Sequence, residues 1–234
     1  KMNIVIKGFT RPVDFKHERM HIPHDSLGFS MAQLIEELFL AAFDNDWLRA
    51  ANDNACFAVQ SGRMVMATDS HVVSPLFFPG GDIGCLSVHG TINDVAMSGA
   101  RPLYLSASFI LEEGFPLADL KRIVDSMAQA AREAGVPVVT GDTKVVEQGK
   151  GDGVFITTTG IGALPAGRSI GGANARPGDV VIVSGTIGEH GVAVLSKRES
   201  LEFETAIESD TAALHTLVAQ LLAAAPEGAV RTLR

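Results

Sequence analysis

Apolar residues along the chain fall into two rhythms, one near 3.6 residues and one of short continuous or alternating runs, and these divide it into helices and strands. Behind Asp82 as N-cap, Ile83, Leu86, Val88, Ile92, Val95, Ala96 and Met97 recur near helical spacing. Gly99 ends that helix and Pro102 forbids its continuation. A second helix, over 117–134, sets Leu120, Ile123, Val124 and Met127 against a charged face carrying Lys121, Arg122, Asp125 and Arg132. Gly135 and Pro137 stop it. Residues 30–43 form a third amphipathic helix.

Strands are expected over 103–111, 136–140 and 154–163, with a short one at 3–6. Residues 56–59 and 63–68, split by Gln60-Ser61-Gly62, read as a hairpin. After the loop carrying Gly171-Gly172 and Pro177-Gly178, a strand begins anew at 180–184, followed by helices over 188–197 and 211–225. The order of elements predicts an α+β fold, a mixed sheet flanked by helices, with the first part of a second α/β domain. Its divisions are an arm and first helix over 1–44, a domain over 45–166, and the opening of a further domain over 167–234. The last residues, Val230–Arg234, read as a beginning strand and predict a continuation. The strands at 103–111 and 154–163 are apolar at nearly every position, which asks for cover on both faces and predicts a homodimer through this sheet.

Composition narrows the partners. A formal charge of −8 argues against a general nucleic-acid or anionic-membrane binder, while leaving room for a phosphorylated ligand held with a cation. Two cysteines, Cys56 and Cys85, make neither a disulfide framework nor a four-ligand zinc site. No signal peptide and no apolar run of spanning length occurs, so a cytoplasmic protein is the default expectation.

Three aspartates stand at comparable places: Asp69 after a strand, Asp94 in the central helix, and Asp142 after a strand. Hard divalent cations take oxygen ligands, and Mg²⁺ commonly combines one or two carboxylates with phosphates. A turn aspartate at Asp69 and a solvated or capping pair at Asn93-Asp94 are the plainer readings of the same residues. Lys144 is a point charge suited to phosphate, and the amides of Gly80-Gly81 could receive an anion. His17, His21 and His24 read as surface histidines. Neither GxxxxGK[ST] nor GxGxxG occurs.

Five stretches together resemble the hydrogenase maturation factor HypE family of the aminoimidazole ribonucleotide synthetase-like superfamily. They are TDS at 68–70, FFPGGDIG at 77–84, TINDVAMSGARPLYLS at 91–106, ILEEGFPL at 110–117 and VVTGDTKVV at 138–146. RPGDVVIVSGTIGEHGVAVLSKRE at 176–199 is similar to the start of that family's second domain. The resemblance implies ATP and Mg²⁺ as cofactors, with metal ligands at Asp69, Asp94 and Asp142. It implies nucleotide contacts from Gly80, Gly81, Thr91, Asn93, Asp94, Asp142 and Lys144, and names Glu112, Glu113 and Lys144 for catalytic proton transfer. The implied activity is ATP-dependent dehydration of a cysteine-bound carbamoyl group to thiocyanate, the source of the cyanide ligands of [NiFe]-hydrogenase iron. The implied partners are a second copy, a carbamoyltransferase and scaffold proteins of hydrogenase maturation.

Two features depart from the family pattern. Where it has a glycine-rich HGxGG loop, this chain has His24-Asp25-Ser26-Leu27-Gly28. Neither a DxTRGG segment nor a PRIC-like cysteine tail is found in the 234 residues. Two other readings follow: a non-catalytic binding or dimerisation module, or another ATP-dependent superfamily member such as thiamine-monophosphate kinase, selenophosphate synthetase or the purine enzyme.

Overall fold

The computed structural model describes residues 11–21, 29–50, 52, 54–58, 61–200 and 207–234. Helix α1 (Phe29–Leu34) runs through a π-helical stretch (Ile35–Leu40) into α2 (Ala41–Phe43), and α3 (Asp46–Arg49) follows. Then come β1 (Arg63–His71), a two-stranded turn of β2 (Phe77–Phe78) and β3 (Gly81–Asp82), and α4 (Ile83–Met97). Next are β4 (Arg101–Glu112), α5 (Leu117–Ala134), β5 (Val138–Val146) and β6 (Val154–Leu164). After a 3-10 turn (Gly172–Asn174) come helices α6 (Glu189–Arg198) and α7 (His215–Ala224).

The four long strands make one mixed sheet in the order β1-β6-β4-β5, with β4 and β5 parallel and the other pairs antiparallel. Helices α4 and α5 cover one face. Ile83, Val88 and Ile92 of α4, Leu120, Ile123 and Met127 of α5, and Leu105, Phe109 and Leu111 of β4 are buried there. Each such side chain stabilises the fold by about 1.5–3 kcal/mol. The Asp82 side chain caps α4, accepting from the Gly84 amide at 2.7 Å and the Cys85 amide at 3.1 Å. Gly135 closes α5 in the left-handed region at φ 67°. Gly84 lets the two helices touch, because a Cβ there would fall 2.2 Å from the Ile123 carbonyl oxygen.

The other face is open. Its rows run Thr68–Thr159–Ser106–Thr140 and Ser70–Thr157–Ser108–Asp142, with Met66 (72% exposed) at one end and Ile110 (41%) toward the other. The Thr68 and Thr159 hydroxyls bond across it at 2.9 Å, and Ser70 and Thr157 at 3.0 Å.

Several sequence expectations change. Residues 56–58 form no strand and Val59 lies outside the described residues; β1 pairs instead with β6, far along the chain. β5 runs on through Gly141-Asp142-Thr143-Lys144, so those residues lie inside a strand and not after one. Residues 180–184 form no strand, since no described segment offers them a ladder. The last helix begins at His215, because residues 207–214 cross the N-terminal domain in irregular backbone. The expected strand at 3–6 and the stretch His24–Gly28 lie outside the described residues.

Candidate functional site

Period-two alternation sends Asp69 and His71 of β1 to the same face, the one that α4 covers. Gly90 of α4 sits over them, and a Cβ there would fall 2.9 Å from His71 Nε2 and 3.4 Å from Asp69 Oδ2. One turn on, Asp94 is exposed at the surface of α4. Within this corner His71 Nε2 lies 3.3 Å from Asp69 Oδ2. Asp69 is about half exposed, whereas His71 is 7% exposed and its Nδ1 is buried without a hydrogen-bond partner.

The electrostatics follow from this crowding. Partial burial, then the Asp69 charge, push the Asp94 carboxyl above the ordinary carboxylate value, and His71 opposes them. Burial pulls His71 below the ordinary histidine value, against the Asp69 charge, the Ile156 backbone and Asp94. Asp69 and Asp94, each carrying a charge that the other feels, offer hard oxygen donors at the edge of α4 beside the buried His71. Mg²⁺ fits such a donor pair.

Asp142 does not join them within one chain. Asp69 stands opposite Thr158, Thr158 opposite Ala107, and Ala107 opposite Gly141. Asp142, the next residue, therefore leaves on the open face, three strand spacings or about 14 Å across the sheet. Lys144 leaves on that face too, in register with Ile110. Among the described residues, no group of three or more His, Cys, Asp or Glu is arranged to hold a metal.

Other expected site residues have structural work. Thr91 is wholly buried; Thr158 Oγ1 donates to the Ser87 carbonyl at 3.0 Å, so the Thr91 hydroxyl donates to Thr158 Oγ1 at 2.6 Å. Thr91 thus fastens α4 to β6. Glu112 accepts from the amides of Gly149 and Gly153 with its two carboxylate oxygens, stapling the β5–β6 loop. The Glu113 amide bonds the Val146 carbonyl at 2.8 Å beside that loop.

Gly80 and Asn93 pack against residues 207–214, and Gly81 against the start of α4. The Ser209 amide donates to the Pro79 carbonyl at 2.8 Å, and a Cβ on Gly80 would fall 2.7 Å from Ser209 N. On Gly81 it would fall 2.9 Å from Cys85 Sγ. Asn93 donates to the Ala212 carbonyl at 2.9 Å and accepts from the Leu214 amide at 2.8 Å. His89, one turn earlier on the same face, meets the Thr211 hydroxyl at 3.1 Å. These residues hold a crossing segment against α4 where the sequence suggested nucleotide contacts. Sequence reasoning missed His71 and Gly90; the available signal was the i, i+2 spacing of Asp69 and His71 in a strand.

Residues 51–164 match the model of the AIR synthase related protein N-terminal domain, and residues 176–234 match its C-terminal domain. The chain is 73% identical over 228 residues to the carbamoyl dehydratase HypE of Cupriavidus necator, covering 97% of this chain and 64% of that protein. It thus spans just under two thirds of that relative's length. A crystal structure of hydrogenase maturation protein HypE in complex with ATP superposes with a TM-score of 0.83 at 51% identity, covering 86% of this chain and 60% of that one. A HypE–HypF complex superposes at 0.68 with 57% identity, covering 81% and 61%. With both domain models matched in order and HypE proteins similar in sequence and in fold, the chain belongs to the AIR synthase related family, on its HypE branch.

Proposed function

We propose that the protein is an ATP-dependent carbamoyl dehydratase of [NiFe]-hydrogenase maturation, and that these residues supply its nucleotide-binding half. The observation that carries the reading is the Asp69–Asp94 corner, where Gly90 brings α4 close over the Asp69–His71 pair and Asp94 stands one turn further along the same helix, its carboxyl raised by partial burial and by the Asp69 charge. Asp69 and Asp94 hold Mg²⁺, which neutralises the phosphates of ATP when bound.

In the proposed reaction the carbamoyl oxygen of a cysteine thiocarbamate takes the γ-phosphoryl group of ATP, ADP leaves, and the nitrogen loses a proton. Loss of phosphate and the second nitrogen proton then leaves the cysteine thiocyanate. An amide oxygen is a poor leaving group and a phosphorylated one is a good one, so positioning and charge neutralisation supply most of the rate. Neither cysteine of this sequence suits the carrier. Cys56 is exposed on an irregular segment, and burial raises the Cys85 thiol while its sulfur closes the capping box of α4. The chemistry therefore requires a thiol additional to these two.

Asp142 and Lys144 enter through a second copy. The open face carries Met64, Met66 and Ile110 with hydroxyl rows between them, and a like face laid upon it would cover that apolar surface. One chain's Asp142 and Lys144 would then reach toward its neighbour's nucleotide, which their own chain's geometry denies them. A HypF-type carbamoyltransferase is the proposed protein partner, and the proposed location is the cytoplasm.

The test is a thermal melt with ATP, with and without Mg²⁺, on the protein and on Asp94→Asn. We expect Mg-ATP to stabilise the protein and the variant to lose most of that response while melting alone at the same temperature or higher, since like-charge repulsion is relieved. A variant that melts lower alone and keeps its Mg-ATP response would sink the metal assignment. Binding without ATP turnover in the presence of a carbamoylated thiol would favour the non-catalytic module.

A further inference from the structure

Resting on that reading of the Asp69–Asp94 corner, we propose that His71 is a positioning residue for the cation site: its ring holds the Asp69 carboxylate in place beside α4, ready for a divalent ion. The contact is geometric. His71 Nε2 lies 3.3 Å from Asp69 Oδ2, and the ring is 7% exposed. Gly90 closes over it so tightly that any side chain there would strike Nε2 at 2.9 Å.

The ring is wedged between β1 and α4, with Nε2 toward one oxygen of Asp69 and Gly90 above it. A polar nitrogen held at that oxygen limits the carboxylate's rotation and leaves the other oxygen for a ligand, as outer-shell partners do for metal-binding carboxylates.

The absence of a Cβ at Gly90 is the second half of the device. An alanine at this helical position would be favoured by intrinsic propensity, yet it would drive the ring off Asp69. Gly90 therefore gives up local helix stability in a place where the gain is the approach of α4 to the Asp69–His71 pair.

The experiment is a Mn²⁺ titration of the ATP-saturated protein read by electron paramagnetic resonance, beside the melting temperature without nucleotide. His71→Phe fills the buried space without a donor, and we expect the Mn²⁺ dissociation constant to rise tenfold or more. His71→Gln keeps a donor near the Nε2 position and should stay within about threefold of the original, a rescue that packing alone would not produce. Gly90→Ala keeps the histidine and displaces it, so it should weaken Mn²⁺ like His71→Phe and decides the matter if His71→Phe does not fold. Unchanged Mn²⁺ affinity in His71→Phe, or in Gly90→Ala where the first variant does not fold, overturns the role of His71 alone. A wild-type protein that takes up no Mn²⁺ with ATP overturns this role and the cation site together.

Discussion

Ile83, Val88, Ile92, Leu117 and Met127 of the sheet half are wholly buried, whereas among the described hydrophobic residues of 176–234 only Ala193 is, with Val194 and Val218 nearly so. Val180, Val181 and Ile182 are 80–87% exposed. What fastens the C-terminal region is directional instead. Arg198 donates two hydrogen bonds to the Ser74 carbonyl at 2.9 and 2.6 Å, Ser209 donates to Pro79, and Asn93 brackets Ala212 and Leu214. Apolar burial gives the first region its stability, and a few hydrogen bonds worth about 0.5–1.5 kcal/mol each give the second its position. The region that brings residues to α4 is thus the one that can leave it at small cost.

The largest effect should come from one glycine in each region. Gly84→Ala puts a Cβ 2.2 Å from the Ile123 carbonyl and must part α4 from α5. We expect a loss of about 3 kcal/mol or more in denaturant unfolding. Gly191→Ala, in α6 with nothing within 4 Å of the added atom, should instead gain about 0.5–1 kcal/mol by propensity. Equal and small effects at both positions would mean that the two regions are packed alike.

Asn93→Ala comes next. It leaves the Ala212 carbonyl and Leu214 amide without their partner, a cost of about 1–3 kcal/mol. Because that cost falls on the crossing segment, amide exchange over 207–214 should accelerate while α5 stays protected. Acceleration spread evenly through both would show that the halves unfold as one.

Much of this division was legible in the sequence, and the reasons differ by element. α4 and α5 appear at or near their expected bounds because Asp82, Gly135 and Pro137 are local signals. The partner of β1 was not legible, since Met64 opposite Ala163 is a pairing across the chain that no local pattern encodes. The apolar run at 180–184 has strand composition without a described partner, and composition alone does not make a ladder. At the candidate site, residue type singled out Asp69, Asp94 and Asp142 alike, and only strand register reveals that Asp142 faces away from Asp69. The backbone contacts of Asn93 with Ala212 and Leu214 were not legible either, since an amide suited to phosphate is equally suited to backbone.

A smaller effect is expected at Val181→Ser. The side chain is 87% exposed, so stability in denaturant should move by no more than about 0.5 kcal/mol. A loss several times larger would show that residues 180–184 are covered in solution, and the contrast between the regions would shrink accordingly.

The smallest effect separates the two regions by pH. His89 sits where the crossing segment meets α4, and burial holds it below the ordinary histidine value of 6.5, against the charges of Glu133 and Asp82. The folded protein therefore binds less proton at this site than the unfolded chain does. By linkage, its contribution to stability is whole above about pH 6.5 and is lost as pH falls from there toward the folded value. His71 is lowered in the same direction, but inside the sheet half. His89→Asn keeps a polar atom near the Thr211 hydroxyl and removes the titration, so the drop in melting temperature between pH 7.5 and 5.5 should narrow while the drop owed to His71 remains. If the variant loses as much stability on acidification as the original, His89 takes no part, and the acid sensitivity belongs to the sheet half alone.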